Sequence, residues 1–401
     1  MSLAVPGWFA PVAAIFILQT TTAFLARLIP IVAPAMSNEF GWDGSSIGYL
    51  TAANSLGGLA ILVGGSTLLK QIGGMRTMQF TLLLGAASMA LFLHPSISIA
   101  LAACFLMGLS NGTANPAGSE VLQRFSPPDK RNLIFSIKQA GVPLGGVIAG
   151  LVIPSIVLVA GWRAAVFICA FLVILTTVLT WRIGGRLDES AASRRRLFSL
   201  PNLQSLRALR VPLQSLAHSR GLLKMSVVGS LFAVSQSCWF TFTVIYLIDE
   251  LDFSLGLAGI VFAIMQVGGV IGRIVLGWIS DRVHSATATL SIAAIVSAAT
   301  TVLLGLSDTT WPLWAVVTLV FLAGCSAASW NGVQIAEIAR RSPPGMISET
   351  AAGSSILISL VNMLVPTAFA TFVAFSGRYD YAFGCVGICT LLVLVFLPYD
   401  E

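Results

Sequence analysis

Of 401 residues, 56% are hydrophobic and only 9% charged, against about 25% charged in soluble domains, so the chain cannot cover a water-facing surface and must be solvated by lipid. Its net charge of +6 does not mark a nucleic-acid binder, because no soluble face interleaves basic with aromatic side chains. The six cysteines lie in apolar runs without a CxxC pair and the three histidines are scattered, so neither a disulfide framework nor a metal site is expected.

A membrane helix needs about 20 apolar residues. Reading between charges and turn clusters predicts twelve spans, at 8–36, 46–69, 77–94, 97–122, 132–160, 164–183, 223–248, 255–280, 287–307, 311–338, 348–376 and 379–398. The class is all-α, because barrel strands would alternate in pieces of about ten residues. The first run is too long for a secretory leader and no basic residue precedes it, so it reads as a mature helix.

Residues 105–128, FLMGLSNGTANPAGSEVLQRFSPP, return 216 residues later as FLAGCSAASWNGVQIAEIARRSPP, residues 321–344, with nine of 24 positions identical and no gap. Many secondary transporters consist of two such halves, with the substrate held between them near the bilayer midplane. The expected organisation is a six-helix half over residues 1–183, a cytoplasmic basic linker over 184–222 and a second six-helix half over 223–401. In the linker, Leu200, Leu203, Leu206, Leu209, Leu213 and Leu216 recur every three or four residues, which suits an amphipathic helix on the anionic inner leaflet. Pro212 interrupts that pattern, and a basic coil fits equally.

Lysine and arginine in short loops set orientation. With the N-terminus inside, 17 of 22 basic residues fall on the inner side, Arg163 and Arg378 fall outside, and Arg27, Lys138 and Arg273 fall within spans. Both termini are therefore expected in the cytoplasm. The expected setting is a bacterial inner membrane, where the chain is expected to act as a monomer.

Six plus six spans, a long middle loop and matching halves resemble the Major Facilitator Superfamily. Its G-x-x-x-D-R-x-G loop signature is similar to GWISDRV, with Gly277, Asp281 and Arg282 in place and His284 where the second glycine belongs. The first-half counterpart, GGSTLLKQIGGMR at residues 64–76, keeps Gly65, Gly73 and Arg76 but has Leu69 and Lys70 where the acid would fall. The fifth span, KQAGVPLGGVIAG at 138–150, is similar to a glycine-proline motif of antiporters, with Val142 between Gly141 and Pro143. Glycines there permit close packing in any case, and Pro143 introduces a kink. The resemblance implies two pseudo-symmetric helix bundles, with Gly277, Asp281, Arg282, Gly141, Pro143 and Gly145 serving the conformational change.

Ionisable groups inside spans are costly and are functional candidates by default. Arg27 stands in an uncharged run, roughly 14 Å below the span's outer end at Met36. It reads as a ligand for an anion or as a structural hydrogen-bond anchor. The segment from Arg27 to Met36 resembles the first helix of anion:cation symporters, which implies that Arg27 binds a substrate carboxylate. Arg273 resembles the eighth-helix arginine of monocarboxylate transporters, which implies the same role. It lies about 12 Å from Asp281, and snorkelling or pairing in that loop is the alternative. Lys138, followed by Gln139, either snorkels to the inner surface or joins the pathway.

Uncharged candidates for the lining are Asn54, Asn111 and Asn115 in the first half, and Gln236, Gln266, Asn331 and Gln334 in the second. Asn115 and Asn331 are equivalent by the repeat. Trp239 and Trp330 stack on a substrate ring or simply pack. No acid falls at mid-membrane. Glu120 and Glu337, near inner span ends, are candidates for proton coupling along with Lys138, because arginine does not release its proton.

The expected function is secondary active transport, as symport, of a small organic anion, most simply a carboxylate, by alternating access. The alternatives are export of an amphipathic or drug-like compound and uncoupled anion exchange. No HExxH, GxSxG or paired intramembrane aspartate points to an enzyme, no P-loop points to an ATP-driven pump, and no cofactor or catalytic residue is implied. Labelling tests the topology: Ser193→Cys should react only from the cytoplasm, and Asp43→Cys and Asp252→Cys only from outside. The reverse pattern overturns the assignment.

Overall fold

The computed structural model describes residues 8–43, 45–64, 72–127, 131–189, 212–343 and 346–398, and among them no strand occurs. The first span is two helices, α1 (Phe9–Ala26) and α2 (Leu28–Phe40), broken at Arg27. The second is α3 (Ser46–Gly64), and the third is α4 (Gly74–Ser88) with a closing 3-10 turn at Met89–Leu93. The fourth is α5 (Ile97–Phe125). Fifth and sixth spans run through α6 (Arg131–Glu189), which leaves helical geometry at Gly161, with φ of 81°.

In the second half, α7 (Arg220–Asp249), α8 (Leu255–Val283) and α9 (Ala286–Gly305) form the next three spans. Each begins on a serine whose hydroxyl accepts from an N–H three residues on: Ser219 from Leu222 at 3.3 Å, Ser254 from Leu257 at 3.3 Å and Ser285 from Ala288 at 3.1 Å. These caps satisfy amides that the first helical turn leaves without a partner. The tenth span is again two pieces, α10 (Leu313–Ala327) and α11 (Asn331–Arg341), followed by α12 (Ile347–Ser376), α13 (Tyr379–Leu391) and the short α14 (Val393–Phe396).

Ten helices, one of them the double-length Ile137–Asp188, are long and apolar enough to cross a bilayer, and Ser46–Leu62 is a shorter apolar helix. Dividing the double helix at Gly161 and adding the short one accounts for twelve spans. The first and tenth spans, Phe9–Phe40 and Leu313–Arg341, each carry a local turn, at Arg27 and at 328–330. In α6 the residue that departs from helical dihedrals is Gly161, between the fifth and sixth spans. The linker pattern over 200–211 lies outside the described residues.

Contacts divide the chain into two units. Unit one is Met1–Leu28, Ala53–Ala149 and Ile156–Ser205, and unit two is Ile29–Ala52, Gly150–Ser155 and Leu206–Glu401. Each holds the same close helix crossing. In unit one a Cβ on Gly108 of α5 would collide with the carbonyl of Asn54 in α3, and in unit two a Cβ on Gly324 of α10 would collide with that of Met265 in α8. Gly108 and Gly324 are identical positions of the repeat, so the repeat preserves a backbone-to-backbone contact that lipid offers no hydrophobic force to replace.

His284 ends α8 in the left-handed conformation, with φ of 53°. The glycine of the loop signature would adopt that turn without strain, and a histidine pays about 1 kcal/mol for it. The glycine crossings give a stability prediction. Gly108→Ala and Gly324→Ala should each destabilise the folded protein by about 1–3 kcal/mol and lower the melting temperature in detergent. Gly332→Ala and Gly384→Ala, where a Cβ meets nothing within 4 Å, should leave it unchanged.

Candidate functional site

In unit one the buried cation is Lys138. Its side chain is 1% exposed, so it does not snorkel to water. Nζ donates to the carbonyl of Asn115 at 3.1 Å, to Asn115 Oδ1 at 3.4 Å and to Ser119 Oγ at 3.0 Å. These three oxygens of α5 match the three protons of an ammonium, and among the described residues no carboxylate lies within ion-pairing distance. Gly118 makes the room: a Cβ there would lie 3.0 Å from Lys138 Cε.

The 216-residue offset of the repeat, carried ten residues further, relates Lys138 to Ser354 and Gly118 to Gln334. In unit two those positions also meet, with Gln334 Nε2 donating to Ser354 Oγ at 3.0 Å. One half fills the crossing with a neutral glutamine–serine pair and the other with a lysine opposite a glycine. The charge is therefore a departure from the symmetric solution, and packing does not require it.

Arg27 is half-buried at the step between α1 and α2. Its backbone N–H bonds to the carbonyl of Phe24 at 3.1 Å, so the chain turns once without completing the helix. Lys138 is level with Ile15, which lies beside Gly118, and Arg27 is twelve residues further along α1, or roughly 18 Å. The two cations therefore stand several helical turns apart. Gly141 and Gly145 abut α1, where added Cβ atoms would stand 2.9 Å from Thr20 Oγ1 and 2.7 Å from the Phe24 amide nitrogen. Gln139 is half-buried beside Lys138.

In unit two the interruption of the tenth span gathers the polar groups. Arg273 of α8 donates from Nη2 to the carbonyl of Ala328 at 3.4 Å, and Ser329 Oγ donates to the carbonyls of Gly269 at 3.0 Å and Gly324 at 2.8 Å. Asn331 Oδ1 accepts from Gln236 Nε2 at 3.3 Å. Trp330 is fully buried and stacks on Phe232 with centroids 5.3 Å apart, its indole N–H without a hydrogen-bond partner among the described residues, as is Gln266 Nε2. Trp239 is buried in packing, with Nε1 donating to Thr301 Oγ1 at 2.9 Å.

The remaining candidates lie apart from these clusters. Asp281 and Arg282 are exposed at the end of α8, the guanidinium 5.2 Å over Trp278, and a Cβ on Gly277 would meet nothing within 4 Å. Glu120 stands 3.9 Å from Arg124. Glu337 is buried between two arginines, with Oε1 2.5 Å from Arg340 Nη2 and 2.6 Å from Arg341 Nε. Asn111 donates to Asn54 Oδ1 at 2.8 Å, joining second and fourth spans. Among the described residues no His, Cys, Asp and Glu gather as a metal site. Sequence reading missed Ser119, Ser329, Ser354 and the two breaks. The Ile-Pro step after Arg27 and the small-residue run Gly324–Ser329 are the signals that mark the breaks.

Residues 14–366 match the family profile of the Major Facilitator Superfamily. The chain belongs to that superfamily. It is a multi-pass membrane transporter and not an enzyme. An MFS-type transporter of Mycobacterium tuberculosis is 25% identical over 94% of this chain and 82% of its own length. The 4-hydroxybenzoate transporter PcaK of Pseudomonas aeruginosa is 26% identical over 63% of this chain and 61% of its own. Other relatives carry the names sulfoacetate transporter, in Cupriavidus necator, and hexuronate transporter, in Bacillus subtilis. The crystal structure of the nucleoside transporter NupG superposes with a TM-score of 0.76 at 12% identity, covering 98% of this chain and all of that one, which bears on fold alone.

The lysine crossing yields a second prediction. Lys138→Ser should lower the melting temperature by leaving a cavity and unmatched oxygens on α5. Gly118→Gln combined with Lys138→Ser imports the neutral pair of the second half and should recover that loss and match or exceed the parent protein's stability, with a coupling energy of about 0.5–3 kcal/mol in a double-mutant cycle. Additive losses would mean that the two crossings are not equivalent.

Proposed function

We propose that this transporter moves a small organic carboxylate across a bacterial inner membrane by alternating access of two six-helix halves, residues 1–183 and 223–401, joined by a cytoplasmic linker at 184–222. The observation that carries this reading is Arg27 at the break of the first span. At Arg27 the helix tightens into a single turn with dihedrals still in the right-handed helical region, and irregular turns in transporter helices expose groups where a substrate passes. A guanidinium there offers a planar fork of donors that suits a carboxylate.

Three further facts support it. Arg273 is at the other break, in unit two. Gln266 and Trp330 present buried N–H groups without acceptors among the described residues, an environment that favours a ligand rich in acceptors. Relatives are named for 4-hydroxybenzoate, sulfoacetate and hexuronate, each of which bears a carboxylate. Asn331 and Gln236, already bonded to each other, are the neutral donors and acceptors we assign to orienting the rest of the substrate, and Asn115 is tied to Lys138 instead.

We assign proton coupling to Lys138 in preference to Glu120 or Glu337. Glu337 is committed to two arginines. At Lys138 the neutral amine keeps every partner, because it donates to the two Asn115 oxygens while the Ser119 hydroxyl reverses and donates to the free nitrogen. Protonated and neutral forms are then both satisfied in one pocket, which is what a group that takes up and releases a proton in each cycle requires.

Liposome uptake of 4-hydroxybenzoate, sulfoacetate and a hexuronate tests the reading. Arg27→Ala should reduce uptake of the accepted substrate at least a hundredfold, and Arg27→Lys should restore only part of it, because an ammonium cannot form the two-pronged contact. Uptake unchanged in Arg27→Ala removes Arg27 as the ligand. Lys138→Gln should abolish accumulation driven by an imposed pH gradient while leaving substrate exchange intact; accumulation that survives overturns the coupling assignment.

A further inference from the structure

The loop after the second span has Leu69 and Lys70 where its second-half counterpart has Asp281. A carboxylate nevertheless stands at the start of the third span, and it comes from the far end of the sixth. Asp188, 7% exposed, turns back from α6 onto the amino end of α4. Its Oδ2 accepts from the backbone N–H of Arg76 at 2.8 Å, and Oδ1 accepts from that of Met75 at 3.4 Å. Oδ1 also lies 3.7 Å from Arg124 Nη2 of α5. A carboxylate here satisfies amides that the helix leaves without partners and complements the positive end of its dipole.

The surrounding sequence is shaped to admit that carboxylate. Gly73, just before α4, has φ of 92°, and a Cβ on it would collide with the carboxyl carbon and stand 2.6 Å from either oxygen. Both the backbone conformation and the contact demand glycine. Gly184 of α6 lies against the Gln79 amide and Gly185 against Arg76 Nη2, where added Cβ atoms would stand 2.7 and 2.8 Å away. Gln79 Nε2 donates to Thr180 Oγ1 at 3.3 Å, and the Arg76 guanidinium lies 4.1 Å over the ring of Trp181. The inner ends of the third, fourth and sixth spans are thus joined around one acid. In unit two, by contrast, Asp281 is exposed and has no ion-pair partner among the described residues.

We propose that Asp188 replaces the carboxylate missing from the loop at 64–76, and that it is a positioning residue for the transport cycle: it makes the inner ends of α4, α5 and α6 move as one body. The inference is independent of the substrate, because it concerns how the first half moves and not what it carries. Asp188→Asn keeps the shape and one amide contact but releases Arg124. Gly73→Ala expels the carboxylate while leaving its charge. Arg124→Gln removes the fourth span's ion pair with Asp188 of the sixth and leaves the helix cap in place.

Hydrogen–deuterium exchange of the full-length protein in lipid nanodiscs tests this without a known substrate. In all three variants, amides at the inner ends of α5 (residues 119–125) and α6 (residues 180–188) should exchange at least fivefold faster than in the parent protein, and to the same extent as each other. A shift in exchange at Asn331–Arg341 of the other half should accompany it, because the balance of conformational states changes. A merely local cap would quicken only residues 75–77, in Gly73→Ala, and leave Arg124→Gln and the other half unmoved. That outcome, or unchanged exchange throughout, overturns the proposal. If Gly73→Ala fails to fold, Arg124→Gln and Asp188→Asn alone separate the two cases.

Discussion

Inside a bilayer a peptide group has no water to bond, and the structure depends on how each departure from helix meets that constraint. An uninterrupted helix satisfies its own carbonyls and amides. Where the tenth span stops at 328–330, the hydroxyl of Ser329 covers the carbonyls of Gly269 and Gly324, and Arg273 reaches the carbonyl of Ala328. At the tightened turn within the first span, the residue is itself an arginine. Guanidinium has five N–H donors and no acceptor, so it can serve freed carbonyls and still present donors to an anion. The same chemistry that makes a break tolerable makes it a place for a negatively charged ligand.

The repeat shows which features are architecture and which are specialisation. Gly108 and Gly324 are identical because both halves need two helices to approach backbone to backbone, and any side chain larger than hydrogen would part them. Ten residues further along the fourth and tenth spans, the halves diverge. Gln334 and Ser354 make an economical neutral contact in the second half, while the first has cleared that space with Gly118 and filled it with a cation. Burying an ammonium without a counter-ion costs several kcal/mol even when hydrogen-bonded. A feature that costs stability in one half and is absent from the other is best explained by what it does.

The end of the first half where the third span begins makes a similar point about substitution between distant positions. A helix start requires an acceptor for its free amides, and the requirement does not specify where in the chain that acceptor comes from. Here the neighbouring loop offers a lysine, and the acid arrives from 112 residues away, through a glycine that leaves it room. Reading the loop alone suggests a lost interaction; reading the folded chain shows it relocated.

Span count, helical class and the family were legible in the sequence, because each depends on one-dimensional properties: the length of apolar runs, their composition and the spacing of a loop motif. The intramembrane cations were legible too, since charge in an apolar run needs no structure to be conspicuous. What each cation touches was not. Lys138 reads as a residue near a span end that could reach the surface, and only the crossing of α5 and α6 encloses it among Asn115, Ser119 and Gly118. Trp239 reads as a candidate for a substrate ring, and only the neighbouring helix supplies Thr301 to take its N–H into the packed interior. Asp188 reads as the last acid before a linker, and only the fold returns it to Arg76. Composition and periodicity are set by the solvent each residue must face, which acts locally. Partners are set by which helices cross at a given depth, and that is decided by contacts between residues far apart in the chain.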